Sequence, residues 1–208
     1  YIGGQYVIDV PAIDERDVDG LKKMLSSKKI WFIDDLEKVF KDICVHSSDD
    51  ALNAAALKRI GYSLNAGYAY NVKYGSVSNF FDMEIFNGDI VDMNEFDRRL
   101  TTLSAFISAL EKKKNSLEYI ETAPKILMSS ECVKQHYGIT IEEIKRLQRW
   151  ILSSCEDKYF NAHSLWNSIQ DEPIIQKLQN NEWMCTCILR QQEGIYSLSV
   201  AGGIILAK

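Results

Sequence analysis

The chain's strongest constraint is a phrase it uses twice. "GYSLNAGYAYNVK" begins at Gly61, and "GIYSLSVAGGIILAK" begins at Gly194. Each follows a helix-like stretch with a glycine, the residue that most readily ends a helix in the left-handed conformation. Each then places two apolar arms around a small-residue bend, which predicts a β-hairpin. The two copies stand roughly 130 residues apart, so an internal repeat governs the fold.

What precedes each hairpin repeats as well. "VDGLKKMLSS" has Val18, Leu21 and Leu25 at helical spacing. "WFIDDLEKVFKDI" has a short apolar start, then Asp34 as a cap with Glu37 three residues on, and Leu36, Val39, Phe40 and Ile43 on one face. "SSDDALNAAALKRIG" predicts a third helix capped by Ser47 or Ser48, with Asp49 and Asp50 in its first turn. The C-terminal third follows the same order. "ITIEEIKRLQRWILSS" opens on a Thr140/Glu143 capping box and buries Ile141, Ile144, Leu147 and Ile151. "KYFNAHSLWNSI" offers an aromatic pair, a capping Asn161, then Leu165 and Ile169; "NEWMCTCILRQQEG" supplies the third helix. At the N-terminus "IGGQYVIDV" resembles "AGGIILAK" and reads as the outgoing hairpin arm of an earlier copy.

Residues 76–140 read as a mostly helical connector. "EFDRRLTTLSAFISALEKKK" puts Leu100, Leu103, Ile107 and Leu110 on one stripe and Lys112 to Lys114 at its C-terminal end, where cations suit the macrodipole. Pro124 interrupts the region, and a short helix halts at Gly138. The expected partition is a strand remnant at 1–13, a first module at 14–75, the connector at 76–140 and a second module at 141–208. The fold class is mainly α with small β-hairpins (α+β).

Composition narrows the function. A formal charge of −5 argues against indiscriminate polyanion binding, so any nucleic-acid surface must be a local patch. Five cysteines, odd in number and without framework spacing, predict reduced thiols in a cytoplasmic setting. No apolar run reaches the length of a membrane span. The chain starts at Tyr1, which suggests a piece of a longer protein.

Three helices, a short strand between the first two and a closing hairpin form the winged helix-turn-helix plan. "FIDDLEKVF…LKRIGYSLNAGYAYN" and "YFNAHSLWNSI…ILRQQEGIYSLSVAGGIILAK" resemble the winged-helix repeats, akin to the HARE-HTH type, of multidomain bacterial proteins. The resemblance implies two winged-helix modules joined by the helical connector. It also implies third helices and wings that contact double-stranded DNA. Carried over by position, the DNA-binding residues are Asn53, Lys58, Arg59 and Lys73 in the first module, and Arg190, Gln191 and Gln192 in the second. Arg, Gln and Asn suit base edges, and Lys suits phosphate. The alternative is a protein-interaction scaffold without DNA contact. Asp49 and Asp50 would repel phosphate, and Trp183, Met184, Cys185, Cys187, Ile188 and Leu189 make the second module's third helix apolar.

No residue pattern announces a reaction. Cys132 and His136 share a helical face but need two further ligands for zinc, with Cys155 and His163 the only loose candidates. Cys185 and Cys187 have the wrong spacing for a redox pair and read as core. Cys44 and His46 lack an orienting third group. The pairs Asp34-Asp35, Asp49-Asp50 and Glu142-Glu143 stand where helices begin and read as caps. Gly3-Gly4 and Gly202-Gly203 precede strands and are no phosphate loop. Tyr68, Tyr70 and Tyr74 suit a stacking face or the core equally. The expectation is a non-enzymatic binding module with no metal and no small-molecule cofactor, whose partner is DNA or another protein domain.

Overall fold

A computed structural model describes residues 11–65, 67–154, 159–161, 166–167, 169–179, 181–190, 196–198 and 204–207, the backbone alone at 151–154, 159–161, 196–198 and 204–207. The chain divides into two units, Tyr1–Phe80 and Phe81–Lys208.

The first unit opens with α1 (Glu15–Leu25), where Asp14 caps the backbone N–H of Arg16 and Leu21 and Leu25 turn inward. Strand β1 (Ile30–Phe32) leads straight into α2 (Ile33–Ile43), which buries Leu36 and Phe40. The N-cap of α2 is Phe32, with no side-chain bond, so Asp34 lies in the first turn and serves the macrodipole rather than the cap. The third helix also differs from expectation. Asp49–Ala51 form a separate 3-10 turn, and α3 (Ala54–Arg59) starts afresh with Asn53 as its cap. Strands β2 (Tyr62–Asn65) and β3 (Tyr68–Asn71) then make the anticipated hairpin, with Gly61 and Gly67 at positive φ (92° and 87°) on either side of β2. The sheet order is β1-β3-β2, antiparallel, with Trp31 opposite Ala69 and Ser63 opposite Tyr70. Leu21, Leu25, Trp31, Leu36, Phe40, Leu57 and Tyr62 share one core.

A buried carboxylate ties this unit's helices together. Asp17, 4% exposed, accepts from the backbone N–H of His46 at 3.0 Å and the Ser47 hydroxyl at 2.7 Å. Ser47 Oγ in turn accepts the Asp14 backbone N–H at 3.0 Å. These two donors offset part of the cost of burying the carboxylate.

Helix α4 (Val77–Glu84) runs across the division between the units. The segment expected to be a helical connector then contains a second three-stranded sheet. Strand β4 (Ile90–Asp92) is followed by α5 (Arg98–Thr101), α6 (Ser104–Asn115), and the hairpin β5 (Tyr119–Ala123) and β6 (Ile126–Ser129). The order is β4-β6-β5, the same as in the first unit. The segment expected to be a mostly helical connector at 76–140 thus holds, besides its helices, a three-stranded sheet with the strand order of the first. Its hairpin turns on Pro124-Lys125, with Lys125 at φ 64°. The single long helix expected over 95–114 breaks at Leu103, which caps α6; Phe106 faces the core, and Ile107 stays 46% exposed.

Helix α7 (Ser130–Tyr137) stops at Gly138, in the left-handed conformation, as the sequence suggests. The Thr140/Glu143 box closes reciprocally: Thr140 N–H donates to Glu143 Oε2 (2.9 Å) and Glu143 N–H to Thr140 Oγ1 (3.2 Å). It opens α8 (Ile141–Ser154). Strand β7 (Tyr159–Asn161), helices α9 (Pro173–Lys177) and α10 (Glu182–Arg190), and strands β8 (Tyr196–Leu198) and β9 (Ile204–Ala207) complete the chain. The third sheet repeats the order as β7-β9-β8. The Gly3-Gly4 and Gly202-Gly203 pairs, the strand remnant at 1–10, Gly194 and Cys155 lie outside the described residues.

Within the second unit one core spans two copies. Leu117, Ile120 and Val133 from the first cluster with Ile144, Leu147, Met184, Cys185, Ile188 and Leu189 from the second. The connector and the C-terminal module are thus one folded body rather than a spacer and a domain.

Candidate functional site

The residues carried over as DNA contacts divide by what the fold does with them. Asn53 is used up locally. Its Oδ1 accepts the Ala56 N–H at 3.0 Å, and its Nδ2 donates to the carbonyls of Pro11 (2.8 Å) and Asp50 (3.0 Å). Both ends of the side chain are thus engaged within the fold, with one lone pair of Oδ1 left over.

Lys58 and Arg59 close α3, and Lys73 sits in the 3-10 turn after β3; all three are exposed. The fold brings them to the same end of the sheet. Tyr62, three residues after Arg59, is paired with Asn71, and the Val72 N–H donates to the Gly61 carbonyl at 2.9 Å. Lys73 lies 4.8 Å above the Tyr74 ring. Sequence reasoning placed these residues by analogy to a DNA-reading helix and wing. The basic clusters Lys22-Lys23 and Lys28-Lys29, which the sequence offers as either a phosphate-tracking face or solvated helix faces, are exposed at the end of α1 and just before β1.

Arg190 ends α10 and is exposed, but its helix is committed to the interior: Met184, Cys185, Cys187, Ile188 and Leu189 are all buried. On one side the Gln148 side chain of α8 donates to the Ile188 carbonyl at 2.7 Å. On the other the helix lies against β5, and Asn181 at its start donates to the Thr122 carbonyl at 2.9 Å. What the helix leaves open is the side that carries Trp183 and Arg190, both exposed. Gln191 and Gln192 lie outside the described residues.

The tyrosines of the first hairpin are core. Tyr68, Tyr70 and Tyr74 are all under 10% exposed, with Tyr74 edge-on to Phe80 at 5.1 Å and Tyr70 at 6.2 Å from it. They offer no open stacking face. The Lys112 to Lys114 cluster is largely neutralised. Lys113 pairs with Asp82 (3.0 Å) and Glu118, and Lys114 with Glu121 (3.2 Å).

Three thiols, Cys44, Cys185 and Cys187, are buried. Burial pushes Cys185 and Cys187 up to about 12, and burial with the nearby Asp17 charge pushes Cys44 to about 11. His46 uses its backbone N–H on Asp17, and His136 stands edge-on to Tyr137. Among the described residues no group of three His, Cys, Asp or Glu side chains could hold a metal ion, and no helix is long and apolar enough to cross a membrane. Compared with protein-family models and with curated proteins, the chain finds no match in either.

Proposed function

We propose that this chain is a non-enzymatic protein-interaction scaffold, built from repeated modules of winged-helix type, rather than a reader of base sequence. The observation that carries this reading is the seat of α10 on β5. The element that would read DNA is instead used to join one module to the next. The other third helices are poor readers too. Helix α3 has six residues and shows solvent Ala54, Ala55, Lys58 and Arg59, while α6 shows Ser104, Ile107, Ser108, Glu111 and Lys112. Meanwhile the second unit leaves Met83, Ile90, Ile107 and Trp183 between 45% and 57% exposed, side chains of the kind that anchor interface cores.

The test is purification of the tagged chain from the cells that make it, with exhaustive nuclease treatment. A stoichiometric protein partner should survive nuclease and be released by Ile107→Glu or Trp183→Glu, variants expected to melt within a few degrees of the parent. If every partner leaves with the nucleic acid, the scaffold reading fails.

A further inference from the structure

We propose that the groove between α8 and α9 is a docking site for an amphipathic helix of a partner protein, one whose apolar stripe is flanked by an acidic and a basic side chain. This deepens the scaffold reading and rests on it, since it names the kind of partner that one surface takes.

The groove follows from helical spacing. Glu143, Arg146, Leu147 and Trp150 recur at i, i+3, i+4 and i+7, so they share one face of α8. Pro173, Ile174 and Lys177 of α9, with Glu172 at its cap, line the same cavity of about 350 Å³. Lys177 closes one end by donating to Glu143 at 2.8 Å. Leu147 belongs to the core and Ile174 packs against it, which gives the cavity an apolar floor. Trp150 stays 40% exposed at its wall, an aromatic surface of the kind that anchors interfaces.

The charges say what the occupant carries. Lys177 is matched by Glu143, and Lys145 by Glu142 at 3.6 Å. Arg146 and Glu172 line one cavity with opposite sign, yet neither side chain meets an opposite charge among the described residues. They stand too far apart to pair with each other. Each is therefore left for a group on the ligand: a carboxylate for the planar fork of Arg146, an ammonium or guanidinium for Glu172. A partner with like charge at either point is repelled, which makes the site selective.

The walls favour a helix over an extended strand. An extended peptide must pair its own N–H and C=O groups, and helices, whose backbone groups bond internally, offer few partners. A helix brings its backbone bonds with it and needs only to lay side chains into the valley between two others. The size agrees, since the cavity stands at the lower end of the range for ligand sites and admits a few side chains rather than a large cofactor.

The test is selection of phage-displayed random peptides of about 16 residues, roughly four helical turns, against the whole chain, with Trp150→Glu as the subtracting decoy. Enriched sequences should carry apolar residues at i and i+3 or i+4, with one acid and one base beside them. Selection against Arg146→Glu should exchange that acid for Lys or Arg and keep the apolar positions. Glu172→Lys should exchange the base for Asp or Glu. A synthetic copy of the most enriched peptide should turn helical on binding by circular dichroism. Its affinity should fall at least ~tenfold with Arg146→Glu and recover with the charge-swapped peptide. Both single variants should melt within a few degrees of the parent, because neither side chain has an ion pair to lose. Should Trp150→Glu fail to fold, Arg146→Glu with Glu172→Lys takes its place as decoy. No enrichment over the decoy, Pro-rich winners, or charge positions that ignore the two reversals would each overturn the assignment. So would a chain that is dimeric by sedimentation equilibrium and made monomeric by Trp150→Glu, since the occupant would then be a second copy. Partners that survive nuclease and leave with Ile107→Glu or Trp183→Glu would stand in all these cases, so failure here is distinct from failure of the scaffold reading.

Discussion

Glu143 shows how much one side chain can be asked to do. It completes the capping box of α8 and also reaches Lys177 of α9 at 2.8 Å. The bond from Lys177 and the donations from Thr140 hold its carboxyl down to about 2. A carboxyl depressed in the folded state contributes fully above its ordinary pKa and loses that contribution as pH falls toward the folded value. Glu143→Gln should therefore melt below the parent near neutral pH, and the gap should close between about pH 4.5 and 2. A gap independent of pH in thermal melts would show that the charge is idle. The box was legible in the sequence, since Thr and Glu three residues apart before an apolar run is a local code. The Lys177 partner was not, because it stands 34 positions away.

At the scale of elements, the chain was legible wherever turn chemistry was local. Gly61, Gly67 and Gly138 each fall at a positive φ, at a helix end or hairpin bend as expected. The missed hairpin, β5–β6, lacks that punctuation. Its turn is Pro-Lys, and the left-handed position is held by Lys125, whose N–H is secured by Glu121 Oε1 at 3.0 Å. Without a glycine or asparagine, "YIETAPKILMS" read as an interruption in helix. Helix α6 misled for a different reason. A break at Leu103 shifts the helical phase, so Phe106 rather than Ile107 points inward. Helix α10 carries the heaviest burial of any third helix, and Ile188 is fully buried against both α8 and the preceding copy. Ile188→Ala should cost about 2–5 kcal/mol, read as a lowered denaturant midpoint. A loss well under 1 kcal/mol would mean that this seat is loosely packed.

For the whole molecule, the described residues hold three sheets of one strand order, where the sequence suggested two hairpin-closed modules and a helical connector. The candidate DNA residues were partly legible for the same reason. Lys58, Arg59 and Lys73 do gather, because the hairpin between them was read correctly. Arg190 was placed on a surface that turns out to be the rim of a buried helix, since packing between copies leaves no trace in either copy alone. The shared core makes a definite claim about cutting the chain. Residues 81–208 should fold alone and melt cooperatively, whereas 141–208, deprived of Leu117, Ile120 and Val133, should show weak, non-cooperative helicity by circular dichroism. A fragment 141–208 that melts as sharply as 81–208 would dissolve the shared core.

The irregularity between Glu121 and Ala123 has a further consequence. It withdraws Thr122 from the ladder with β6, and Asn181 takes up the carbonyl so released. Strand β5 is the outermost of its sheet, the position from which chains zip onto their neighbours and grow into fibrils. With that carbonyl occupied and α10 packed close to the strand, an incoming chain finds an interrupted template there. The join that unites the two copies therefore also guards the protein against polymerising through this flank.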